Sequence, residues 1–200
     1  MSDRAKQNKH TVCQRQKAAG FTLVEMLVAV FVLMIALTAA FTAAQRSLFS
    51  SITARDQVIG FYLTQEAFEL IKNKRDSNIQ AGGADWRTGI LACQGDQFCM
   101  IDFKADEPEI TLCSGAGASA CEVEGNELKL HANGYYTHES GKATNFYRYF
   151  TVEELSDGAP NDGGDTSDEL KVTVTTKWNV GIFPRTFSVS EFVTKWRHQP

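Results

Sequence analysis

The chain has 200 residues, a net charge of −4 and five cysteines, enough for one modest soluble domain besides any membrane segment. The first twenty residues hold Arg4, Lys6, Lys9, Arg15 and Lys17 against Asp3, five cations against one acid or +4, so the remainder carries −8. That balance argues against a general grip on nucleic acid, which needs a basic face.

Residues 1–20 are hydrophilic and show no folding pattern of their own. They are followed by Phe21–Phe41, FTLVEMLVAVFVLMIALTAAF, with Glu25 as its one ionisable side chain. A helix of roughly 20 apolar residues crosses the hydrocarbon core of a bilayer. Basic residues flanking a spanning segment stay on the cytoplasmic side, so residues 1–20 are expected inside and everything after Phe41 outside. A carboxylate at membrane depth costs a few kcal/mol or more and marks a functional candidate whose partner has to be found.

Two plainer readings compete. A secretory signal has an apolar core of about 7–15 residues and a small-x-small cut site. Here the core is longer, and Thr38-Ala39-Ala40 and Thr42-Ala43-Ala44 are imperfect sites. An uncleaved signal anchor is the other. The mature N-terminus separates the three: Phe21, a residue near Ala44, or Met1.

The junction Lys17-Ala18-Ala19-Gly20 followed by Phe21-Thr22-Leu23-Val24-Glu25 resembles the processing site of type IV prepilins and of the pseudopilins of type II secretion. The resemblance implies cleavage between Gly20 and Phe21 by a membrane prepilin peptidase, N-methylation of Phe21 by the same enzyme, and an assembly role for Glu25. In that role Glu25 pairs with the Phe21 amine of a neighbouring subunit.

Helical patterning does not stop at the membrane edge. Leu48, Ile52, Ile59, Leu63, Ala67, Leu70 and Ile71 recur mostly at three, four or seven, which puts one apolar face on a helix. No proline or turn cluster interrupts before Ser77-Asn78 and Gly82-Gly83, so a helix is expected over 21–76, roughly 84 Å at 1.5 Å per residue. Gly60 costs about 1 kcal/mol in a helix interior and allows a bend. Lys72, Lys74 and Arg75 crowd the expected helix end, where cations complement the dipole; a nucleic-acid or lipid patch is the sharper alternative.

Residues 77–125 read as short and irregular, with Asp85-Trp86-Arg87 and a small-residue loop at 114–120. Gly115 and Gly117 are no dinucleotide fingerprint, because no strand-to-helix context surrounds them. Cys13 would leave with the leader. Cys93, Cys99, Cys113 and Cys121 remain, and an even number in an exported segment reads as two disulfides. Three connectivities are possible; the sequence-local pairing, Cys93–Cys99 with Cys113–Cys121, is preferred. Such small loops contribute on the order of 2–3 kcal/mol each in the loop-entropy model and would fix loops that lack a core. Zinc is the weaker alternative, since its cysteines usually pair two to four residues apart.

The rest reads as two to four antiparallel strands. Residues 127–131 and 135–136 flank an Asn133-Gly134 turn, and 146–155 is rich in aromatic and β-branched residues. In 169–180, Leu170, Val172, Val174, Thr176 and Trp178 alternate with polar residues, the pattern of a half-buried strand. Residues 186–196 repeat it less cleanly. The loop 156–168 carries Asp157, Asp162, Asp165 and Asp168. Oxygen ligands suit calcium, and some members of the resembled family hold it in this region, but the spacing matches no known calcium loop and a solvated hairpin loop is preferred. No Gly-x-Ser-x-Gly, His-Glu-x-x-His or phosphate-loop pattern occurs. His131 and His138 read as surface or edge residues of a hairpin. No catalytic, cofactor-binding or metal residue is assigned and no enzyme activity is expected.

The fold class expected is α+β, the type IV pilin-like lollipop of one long N-terminal helix packed on a C-terminal antiparallel sheet. Its parts are a leader (1–20), a transmembrane half-helix (21–44), an amphipathic half-helix (45–76) and an extracytoplasmic β-rich domain (77–200). The segment 61–78, the Asp85-Trp86 region, the paired cysteines and the ending Val193-Thr194-Lys195-Trp196 are similar to minor pilins of the type IV pilus modification (PilV-like) group. The resemblance implies a structural subunit held in the cytoplasmic membrane and then drawn into a cell-surface or periplasmic filament. Its partners would be other pilins, the prepilin peptidase and methyltransferase, and the inner-membrane assembly platform. A type II secretion or competence pseudopilin, and a filament-tip adhesin or DNA-uptake module, are the alternatives.

Overall fold

The computed structural model describes residues 20–82, 85–104, 107–155 and 169–195. The chain divides into two compact units, residues 1–49 and 50–200, and each is taken by itself. One helix, α1 (Leu23–Gln80), contributes its first residues to the first unit and its last thirty-one to the second. It is the one helix among the described residues long and apolar enough to cross a membrane.

In the first unit the side chains of α1 are exposed to the last residue. Among the described residues nothing covers them, which fits a segment whose solvent is lipid. Two threonine hydroxyls there are satisfied within the helix. Thr38 Oγ1 donates to the carbonyls of Met34 (3.0 Å) and Ile35 (2.9 Å), and Thr42 Oγ1 to that of Thr38 (2.8 Å). In hydrocarbon, where no water can take over, such internal bonding is what lets a threonine be tolerated.

In the second unit α1 buries Asp56, Gly60, Leu63, Thr64, Ala67, Phe68 and Ile71, one face at helical spacing. It lies on a five-stranded antiparallel sheet of order β2-β1-β6-β7-β8. The strands are β1 (Cys99–Lys104), β2 (Glu107–Leu112), β6 (Phe146–Glu154), β7 (Glu169–Val180) and β8 (Phe183–Thr194). A small second sheet, β4-β3-β5, comprises β3 (Lys129–Leu130), β4 (Tyr136–Thr137) and β5 (Lys142–Ala143). The fold is therefore α+β, a long N-terminal helix on an antiparallel sheet.

The alternation expected in 169–180 is present: Leu170, Val172, Val174, Thr176, Trp178 and Val180 are buried. They meet the helix in two clusters. Ala67, Phe68 and Ile71 pack with Ile101, Phe150, Val152, Val172 and Val174, and Leu63 packs with Leu128, Phe146, Trp178 and Val180. Apolar pattern alone found part of the helix face. Leu48 and Ile52, assigned to the stripe, are exposed. Gly60 and Thr64, which carry no large apolar group, are buried in it. Thr64 Oγ1 hydrogen-bonds Thr176 Oγ1 across the seam at 2.8 Å and the Gly60 carbonyl at 2.9 Å.

Arg148 projects from β6 into this seam with no side-chain exposure. Its Nη1 donates to Glu66 Oε2 on α1 (2.6 Å) and to the Leu63 carbonyl (3.3 Å), and its Nη2 to the Ile101 carbonyl on β1 (2.9 Å). A buried charge is tolerated only with such partners. Glu66 remains partly exposed, so the pair reaches solvent on one side.

Three sequence expectations need correction. The helix continues to Gln80 rather than ending near 76, and Asn78 is part of it. Asn78 Nδ2 donates to the carbonyls of Trp86 and Thr88, both at 2.9 Å, so it latches the following segment instead of starting a turn. With the end at Gln80, the last turn holds no basic residue. Lys72 reaches Glu191 on β8 at 2.8 Å, and Arg75 bonds Asp76 and the Thr194 carbonyl. These cations fasten the helix to the edge strand rather than complementing its dipole. Finally, the region read as irregular contains the β1–β2 hairpin, which Pro108 and four charged residues, Asp102, Lys104, Glu107 and Glu109, conceal from a strand pattern.

Cys93 is joined to Cys99 and Cys113 to Cys121, with S–S distances of 2.06 and 2.01 Å. All four cysteines are buried. The first bridge lies within the helix-side core. The second packs with Tyr149, Phe98 and Met100 against the other face of the sheet, so both bridges are core elements and not merely staples for uncovered loops. Residues 156–168, with the candidate calcium aspartates, and residues 1–19, with His10 and Cys13, lie outside the described residues, as do Trp196 and His198.

Gly60 permits the closest approach in the seam. A Cβ there would sit 2.8 Å from Cζ3 of Trp178, a buried ring. Alanine would return about 1 kcal/mol of helix propensity, against about 1–3 kcal/mol for overpacking. Gly60→Ala should lower stability by about 1 kcal/mol, and Gly60→Val by more, read as a falling urea midpoint. An unchanged midpoint for valine would show that Trp178 has room to move.

Candidate functional site

The candidate site is the front edge of α1. Gly20, Phe21 and Thr22 precede the helix in non-helical backbone and are exposed. The Gly20–Phe21 bond thus lies outside helix and sheet. Gly20 is not among the glycines with positive φ, and a Cβ added there would meet nothing within 4 Å. Neither backbone conformation nor packing in this chain requires glycine at 20.

Helix initiation is set by Thr22. Its carbonyl accepts the first helical bond, from Met26 N at 3.2 Å, and its Oγ1 accepts from Glu25 N at 3.2 Å. Thr22 is thus the N-cap and Glu25 the third helical residue, the arrangement that satisfies one otherwise orphaned donor. The spacing Thr-x-x-Glu is that of a capping box, a signal legible in the sequence but passed over there. It gives Glu25 a local role as well: a carboxylate in the first turn is stabilised by the helix dipole. Glu25 stands exposed on an otherwise apolar surface.

The four cysteines belong to the core of the second unit and take no part in this site. Nor do the histidines. His131 stacks on Tyr135 at 4.5 Å. His138, read from sequence as a surface or edge residue, is mostly buried, with Nδ1 3.5 Å from Asp102 Oδ2. Asp102 Oδ2 also accepts from Thr137 Oγ1 (2.7 Å) and from His138 N (2.6 Å). Burial works to raise the Asp102 pKa, but the hydrogen bonds from His138 and Thr137 outweigh it and hold the value at about 2. The cluster ties β4 to β1. No group of three metal-ligating side chains is assembled among the described residues.

Residues 15–41 match a family model described as the prokaryotic N-terminal methylation motif. The matched span begins in the basic segment, includes Gly20, Phe21, Thr22 and Glu25, and ends with the apolar stretch at Phe41. Comparisons with curated proteins and with solved structures found no match.

Two outcomes are expected. Gly20→Ala should leave the thermal unfolding midpoint unchanged, and a lowered midpoint would show that the fold requires glycine there. Asp102 lies below its ordinary value of 3.8, so it contributes stability above that pH that is lost as pH falls through about 2. Asp102→Asn should therefore flatten the fall in stability between about pH 4 and 2, as read by acid titration of the near-UV circular dichroism signal; an unaltered acid profile would assign that fall to other carboxylates.

Proposed function

With residues 15–41 as the type IV prepilin and pseudopilin signature, we propose that this protein is a minor structural subunit of a type IV pilus or related filament. The motif implies processing by a prepilin peptidase and assembly with other pilins. The single observation carrying the proposal is that this motif heads a long helix whose first residues none of the described residues covers.

The mechanism follows from charge and solvent. The N-terminal helix fits a single-pass membrane anchor. The basic leader keeps residues 1–20 in the cytoplasm while the second unit is exported. Cleavage after Gly20 leaves a cationic amine on Phe21, which methylation preserves as a cation. Glu25 needs a partner at membrane depth, and the Phe21 amine of an adjacent subunit supplies it. In a low dielectric that attraction is strong enough to set the register of one subunit against the next. The subunit then exchanges lipid for neighbouring helices, which bury the same apolar surface. A structural part of this kind calls for no catalysis by the chain itself.

Glu25→Ala and Glu25→Val should insert and be cleaved normally, yet fall at least about tenfold in sheared filaments, the effect of losing about 1.4 kcal/mol of docking energy. Wild-type incorporation of both would remove Glu25 from the mechanism. Mass spectrometry of the membrane fraction should find a methylated Phe21 as the first residue; an N-terminus at Met1 or near Ala44 would replace the pilin reading with an anchor or a secretory signal.

A further inference from the structure

The hairpin joining β7 and β8 turns on two residues, Gly181 and Ile182, since Val180 pairs directly with Phe183. Gly181 takes φ 63°, as a two-residue hairpin requires at its first turn position. The second position ordinarily holds a small polar residue. Here it is Ile182, the most exposed large apolar residue described, at 88%, and Phe183 beside it is 59% exposed. Neither contributes to a core cluster. Folding of the unit gives no reason for isoleucine at the apex of a turn, and adjacent exposed apolar residues at a loop tip mark a contact surface.

The register of β8 against α1 tells which end of the unit this tip occupies. Thr194 meets Arg75, Glu191 meets Lys72, and the Phe187 ring lies 5.8 Å from that of Phe61. Trp178, opposite Arg185 in the hairpin, covers Gly60. Descending β8 therefore means descending α1, and Phe183 lies toward the residue-50 end. That is the end where the chain continues, in sequence, into the apolar stretch. Exposed cations accompany it: Arg185 follows Phe183 by two residues, and Arg55, 71% exposed, reaches solvent while ion-paired with Asp56 at 3.1 Å. Apolar side chains at a tip with cations behind them suit the boundary between acyl chains and anionic headgroups.

We propose that the Ile182–Phe183 tip inserts into the outer interface of the membrane that holds α1, giving the unassembled subunit a second lipid contact. The occupant is a lipid surface. This rests on the single-pass reading above. Two contacts hold the exported unit in one orientation while it waits, and entry into a filament must break the hairpin contact.

The test uses the full chain with Cys13→Ser, reconstituted in vesicles of phosphatidylcholine with phosphatidylglycerol. An environment-sensitive fluorophore is placed at Ile182→Cys or, at the opposite end of the unit, at Ala81→Cys. Brominated lipids should quench the probe at 182 by about twofold and the probe at 81 hardly at all, with iodide giving the reverse order. As a check with residue 182 unlabelled, vesicles should slow hydrogen exchange at Gly181–Arg185, and Ile182→Asn should abolish that protection. Inserted chains whose probe at 182 is as open to iodide as that at 81 overturn the hairpin contact and leave the filament reading standing. Protection that follows protein density rather than lipid means contact between copies and overturns the lipid assignment. Chains that never insert overturn both readings.

Discussion

The second unit depends on how closely one helix can lie on one sheet. Three contacts set that distance. Gly60 lets the Trp178 ring reach the helix backbone, Thr64 and Thr176 share a buried hydrogen bond, and the Arg148 guanidinium joins α1 to β1 through β6. None is a hydrophobic contact in the ordinary sense, yet each lies within the apolar seam. The surrounding Ile, Val and Phe side chains supply the driving force, which is non-directional. The polar contacts specify the register, because a one-turn slip would take Glu66 and the Leu63 carbonyl from Arg148 and Thr64 from Thr176 in a dry interface.

The same helix has a different task in the first unit. Up to Phe41 its surface is apolar all round and exposed, Thr38 bonds internally, and Glu25 is the one side chain with a charge to place. A soluble helix could not keep that composition, since exposed apolar area of this size drives association. In a bilayer it is the ordinary condition, and in a filament the neighbouring helices take the place of lipid. At the front edge the Thr22 cap starts the helix, and Gly20 before it is unhindered among the described residues.

Sheet coverage is also divided. The helix closes one face. The Cys113–Cys121 loop closes part of the other over Tyr149, whose hydroxyl donates to Glu122 (2.8 Å). Burial, together with that carboxylate, pushes the Tyr149 hydroxyl well above its ordinary pKa. β6 is consequently buried on both sides, with Phe146, Arg148, Phe150 and Val152 turned to the helix and Tyr149 to the loop. This explains why 146–155 shows no clean alternation of polar and apolar residues: a strand buried on both faces has no wet side to mark.

Local chemistry made much of this protein legible in its sequence. An apolar run of membrane length, a basic flank, the Gly20–Phe21 junction, Glu25 five residues after the glycine, and the alternation of β7 are all written in consecutive residues, because each answers to a solvent or an enzyme that reads the chain locally. The Thr22 cap was equally local and could have been found by its spacing to Glu25. What only the tertiary structure decided involves partners distant in the chain. Arg148 meets Glu66 and Ile101, Thr64 meets Thr176, and Gly60 receives Trp178. Lys72 and Arg75 turn to β8, and His138 folds in over Asp102. A polar or small residue carries no sign in the sequence of the partner that will bury it, since that partner is chosen by the pairing of strands and the position of the helix upon them.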